Sequence, residues 1–155
     1  MDRRLFLIAA AALPLAAARA HHGWSGFDQQ RPLWLEGRAA KVWWRNPHAE
    51  LDLQQPDKPL LPADLKQRRL PAQSAAVDGP ALLAAAQLPR RSDRLWHVEL
   101  APLTRMQAWG VAEIKAGDAI AVLGFAHEGE KGDAVLRAEY LFVGAQVYGL
   151  RSSPA

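Results

Sequence analysis

His48-Ala49-Glu50-Leu51-Asp52-Leu53 and Trp96-His97-Val98-Glu99-Leu100 each alternate polar and apolar residues at every step. Successive side chains of a strand point to opposite faces, so this pattern predicts two half-buried strands. Ala49, Leu51 and Leu53 face inward on one, and Trp96, Val98 and Leu100 on the other. Upstream, Trp34 to Trp44 is rich in Val and Trp and reads as the first strand, with Gly37 marking a bulge or a close backbone approach. Asn46-Pro47 bends the chain between the first strand and the second. Downstream, a short helix fits Pro102 to Trp109 with Gly110 as its stop. Strands follow at Ala119 to Phe125 and at about Val135 to Val143, separated by a turn at Glu128 to Asp133. Five strands with a helix between the third and fourth is the order of a small OB-like antiparallel barrel, a mainly β fold.

Residues 54–94 break the pattern. They hold six of the eleven prolines and the basic pairs Arg68-Arg69 and Arg90-Arg91. The stretch is expected to be a peripheral, partly mobile surface insertion. Within it, a short helix is expected from Pro80 to Gln87, capped by Asp78.

The first 20 residues read as an export leader. Arg3 and Arg4 supply the charged start, Leu5 to Ala18 the apolar run, and Ala18-Arg19-Ala20 the small-residue cleavage site. The run contains Pro14 and is short of the roughly 20 residues that span a bilayer. Arg3-Arg4-Leu5-Phe6-Leu7 also approaches the twin-arginine export pattern, although Asp2 and Ile8 depart from it. The expectation is a periplasmic or secreted bacterial protein, not an integral membrane protein, whose single domain covers residues 21–151. Without Arg3, Arg4, Arg19 and Asp2, the 19 basic and 16 acidic residues become 16 and 15. That balance leaves no cationic stripe for nucleic acid. With no cysteine, disulfides, thiolate metal sites and thiol nucleophiles are excluded.

Cleavage after Ala20 would make His21 the first residue. Its α-amine and imidazole then form a chelating pair suited to a transition metal such as Cu(II), and His22 adds a further nitrogen. His48, Glu50 and Asp52 share the outward face of the second strand, and His97 and Glu99 that of the third. In an OB-type barrel these strands are neighbours and their outer face is the usual ligand surface. The candidate metal ligands are therefore His21, His22, His48 and His97, beside a ligand face of Trp24, Trp44, Asn46, Glu50 and Glu99. Trp43 and Trp44 are adjacent and must point to opposite faces, so one of them lies near the polar face. Trp24 and Phe27 are expected to pack there and bring the two leading histidines toward His48. His127 reads as an exposed loop residue and Met106 as core filler. No serine sits in a nucleophile elbow and no segment matches a dinucleotide fingerprint, so no catalytic residues are assigned and the chain is read as non-enzymatic.

Several separated motifs carry a resemblance: Ala20-His21-His22-Gly23-Trp24-Ser25 with Phe27, Trp44-Arg45-Asn46-Pro47-His48-Ala49, Trp96-His97-Val98-Glu99-Leu100, Gly117-Asp118 and Arg137-Ala138-Glu139. On these the chain resembles the family known as domain of unknown function 6152, small exported bacterial proteins. The resemblance implies an OB-like, β-rich exported domain and no established activity. Between the second and third strands this chain is longer than the family pattern. The chain also broadly resembles small periplasmic copper-binding barrels that use His, Met and Trp. Two functions follow as expectations: a binding or accessory domain holding a transition metal, most plausibly copper, or a metal-free interaction module. The module would dock on an unknown, membrane-bound or redox partner through the tryptophan-rich edge and the insertion.

Overall fold

The computed structural model describes residues 23–155. Six strands follow in chain order: β1 Leu33–Trp43, β2 Glu50–Gln54, β3 Leu95–Glu99, β4 Ala119–Ala126, β5 Val135–Val143 and β6 Gln146–Gly149. They hydrogen-bond in the order β3-β2-β1-β4-β5-β6, and a further parallel pairing of β3 with β5 closes the first five into a barrel. Every other seam is antiparallel. The expected OB-like barrel is thus present. The sixth strand, outside the barrel, was not expected: it is four residues long and joins β5 through the two-residue turn Gly144-Ala145, with Gly144 at φ 57°.

Alternation fills the barrel. Leu51, Leu53, Trp96 and Val98 are fully buried, and Ala49 continues the β2 ladder through hydrogen bonds with Leu100 and Ala101. At Gly37 a Cβ atom would lie 2.0 Å from the Gln54 carbonyl oxygen, so a side chain there would force β1 and β2 apart. Helix α2, Leu103–Ala108, lies between β3 and β4 and adds the buried Met106 to the core. It stops at Gly110, whose φ of 66° favours glycine.

The insertion differs from its expected peripheral role. Its helix α1, Gly79–Ala85, has Asp78 as N-cap, accepting from the Ala81 amide at 3.0 Å. Leu65 and Leu83 are buried on the outside of the barrel, against Trp34, Leu123, Tyr140 and Phe142. This is a second core, sandwiched between the insertion and the outer face of β1, β4 and β5. The chain beyond residue 151 also joins it: Ser74 N–H donates to Ser153, and Gln73 pairs with Pro154.

Candidate functional site

The outer face of β2 and β3 is free of that cover, and register decides which side chains meet on it. Glu50 lies opposite Trp43 on β1 and Glu99 on β3, and Glu99 lies opposite Arg137 on β5. Asp52 lies opposite Lys41 and His97. Because the residues between them point into the core, these side chains form two parallel outward rows. His97 Nδ1 is 3.0 Å from Asp52 Oδ1, and its Nε2 is 3.4 Å from Glu50 Oε2. The Trp43 ring lies 5.7 Å from the imidazole. Both ring nitrogens therefore face carboxylates, and a metal at either would have to share or displace one. Arg137 donates to Glu99 at 3.3 Å.

The first described residues dock at the end of the Glu99–Arg137 row. The Trp24 ring lies beneath two guanidinium groups, Arg151 at 3.7 Å and Arg137 at 4.7 Å, with Phe125 edge-on. Arg151 is itself held by the fully buried Glu139 carboxylate, at 2.6 Å. Half-buried Arg105 adds a third cation: partial burial, with the charge of Arg137, pulls its guanidinium below the usual arginine range. Three residues on, Phe27 stacks on His127 at 4.6 Å, and His127 Nδ1 lies 2.8 Å from the Gly26 carbonyl. Asp28 N–H donates to the Ala126 carbonyl at the end of β4. Residues 24–28 are thus pinned by stacking and backbone bonds together.

The structure sorts the expected site residues unevenly. His97, Glu50 and Asp52 come together, with Glu99 beside them. His48 is half-buried, two residues ahead of β2, following the exposed Asn46 and the cis Asn46-Pro47 peptide. His21 and His22 lie outside the described residues. Trp44 is corrected: it packs against the barrel core, and Trp43 takes the place on the polar face. His127 is likewise half-buried under Phe27 instead of exposed. The expected place of Trp24 beside Trp43 and Trp44 is corrected: its ring docks on Phe125 of β4 and under Arg137 of β5. Among the described residues, no group of three or more His, Cys, Asp or Glu is arranged to hold a metal ion. Sequence reading missed Arg137 and Arg151 as partners of Trp24, because their placement depends on the β3–β5 seam and the C-terminal tail. The one available signal was the Arg137-Ala138-Glu139 motif.

Residues 8–59 match the model of a family of unknown function, DUF6152. Over those residues the chain is similar to that family. The DUF6152 match takes in β1, β2 and the motifs around Trp24 and His48, while β3 to β6 lie beyond it. No curated protein and no solved structure matches the chain. Among the described residues, no helix is long and apolar enough to cross a membrane.

Proposed function

We propose that the protein is an exported, non-enzymatic binding domain that holds a transition metal, copper being the best fit, through histidines at the N-terminus freed by leader removal. The α-amine and imidazole of His21 with a nitrogen of His22 make a nitrogen-rich chelate of the kind Cu(II) prefers. His48 and His97 are the further donors. The observation that supports this reading is the pinned Trp24, which holds residue 23 at the end of the Glu99–Arg137 row. His22 and His21 are the second and third residues ahead of that anchor, which puts the polar face within the reach of a chelate formed there. The described residues assemble no metal-binding group of their own, so the reading rests on donors from the leading pair.

The alternative, a metal-free module docking on a membrane or redox partner through a tryptophan-rich edge, has less behind it. Trp34 and Trp96 are fully buried, and Trp24, Trp43 and Trp44 are each half-buried. A Cu(II) titration separates the two. Protein beginning at His21 is expected to take up about one equivalent, more weakly as acid protonates the amine, whose ordinary pKa is about 7.7–8.0. One extra residue ahead of His21 removes the amine from the chelate and weakens uptake. Equal weak uptake by both forms would sink the metal reading.

A further inference from the structure

The insertion does not cover the whole outer face of β1 and β4. Where it turns away from the barrel, at residues 55–60, it leaves a cavity of about 530 Å³. Small-molecule sites commonly occupy a few hundred to a thousand cubic ångströms. The floor is low at the start of β4, where Ala119 reaches only a methyl group into the space. One wall is apolar. Leu88 lines it from the end of the insertion, and Leu60 stands over it 76% exposed, an apolar side chain with nothing packed on it.

Polar groups converge on the same space. Gln55 is 3% exposed, and its amide Nε2 is buried without a hydrogen-bond partner. That atom is sealed from the cavity, so the groups a ligand can reach are the charged ones at the mouth. Arg38 spends one guanidinium nitrogen on the Gly117 carbonyl, 2.9 Å away, and keeps the rest of its fork. Lys58 has no carboxylate partner among the described residues. The carboxylate at the cavity, Glu36, accepts from the Trp34 indole N–H at 3.4 Å. Two cations against one anion leave the mouth with a single positive charge.

We propose that this cavity binds a small amphipathic anion, an apolar body carrying one carboxylate or sulfonate. The apolar body lies against Leu60 and Leu88, and the anionic group meets Arg38 and Lys58 at the mouth. The site lies beyond Asp52 along the outward row of β2, where Gln54 lines it, and does not depend on any metal.

The test uses 8-anilinonaphthalene-1-sulfonate as probe on the folded chain, by fluorescence titration and by amide and indole NMR shifts. One saturable site is expected, with shifts at the Trp34 indole and the Gln55 side-chain amide. Ala119→Leu fills the floor and should weaken binding about tenfold, and Lys58→Glu should weaken it by a similar factor. Leu60→Ser alters an exposed side chain, cannot unfold the domain, and should also weaken it. The neutral probe N-phenyl-1-naphthylamine should bind less well than the sulfonate. Absence of saturation below millimolar probe, shifts centred away from Trp34 and Gln55, indifference to both Ala119→Leu and Leu60→Ser, or equal binding of the neutral probe would each overturn the proposal.

Discussion

The barrel has two outer faces built from the same kind of strand and put to opposite uses. Along most of β1, β4 and β5 the outward residues are apolar, Trp34, Leu123, Tyr140 and Phe142 among them, and these four are sealed under the insertion. On β2 and β3 they are Glu50, Asp52, His97 and Glu99, which no insertion covers. An outward position on a closed barrel is therefore not a solvent position by default. What the rest of the chain lays over it decides its chemistry, and here the insertion divides the molecule into a doubly packed wall and a single-layered polar one.

The largest effects should fall on the covered wall. Trp34→Ala removes a fully buried indole that contacts Phe142 edge-on at 4.9 Å, and is expected to cost about 3–5 kcal/mol in urea denaturation. Leu83→Ala, from the insertion side, should cost about 2–5 kcal/mol. If the insertion were only an appended loop, Leu83→Ala would fall within the few tenths typical of surface changes, and the division into two walls would fail.

Next comes the knot that ties the end of the insertion to the barrel. Buried Glu130 pairs with Arg31 and accepts from the backbone N–H groups of Arg90 and Arg91 at 3.0–3.1 Å. Burial alone would raise its carboxyl pKa, but these donors together outweigh burial and hold it below the usual glutamate range. Glu130→Gln is expected to cost about 2–3 kcal/mol at neutral pH. A folded pKa below the unfolded one means the unfolded chain binds the proton first as pH falls. The carboxylate's contribution is therefore complete above the unfolded pKa and is lost as pH drops through the depressed folded value. Denaturation at neutral and acid pH should show the gap between wild type and Glu130→Gln closing in acid; a gap that widens would contradict the assignment.

Much of this division was legible in the chain, but not its cause. Strict alternation in residues 48–53 and 96–100 fixed which side chains of β2 and β3 face out, and all their inward residues are buried. In β4 and β5 the apolar run is nearly continuous, which is the pattern of a strand covered on both sides. The cover itself could not be read. Leu65 and Leu83 sit among prolines with no sustained period, and their partners are more than thirty residues away in sequence. Trp44 was misplaced for a related reason: adjacency says that two tryptophans point apart, but only the register of β1 on β2 says which one points out. Arg137 reaches Glu99 across the one parallel seam, a long-range pairing that local pattern does not encode.

Trp24→Ala tests the same residue type as Trp34 in a half-buried setting. Two cation–π contacts of about 0.5–1 kcal/mol each, with some lost packing, predict a cost well under that of Trp34→Ala. The expected readout is loss of the NMR shifts that mark residues 24–28 as docked, with the barrel signals unmoved. A cost equal to that of Trp34→Ala would mean that the leading segment belongs to the core and not to a face.

The smallest effect should come from the polar wall itself. His97→Ala removes an imidazole whose side chain is 14% exposed and whose partners, Glu50 and Asp52, are each 23% exposed. Both carboxylates keep access to water when the ring is gone, and ion pairs in contact with solvent contribute about 0–1 kcal/mol. The substitution should therefore cost no more than about 1 kcal/mol. Its neighbour Trp96 is fully buried on the other side of the same strand, so one step along β3 separates a residue the fold requires from one it tolerates. A loss above about 2 kcal/mol for His97→Ala would place the polar row among the structural elements and remove the reason to look for a ligand there.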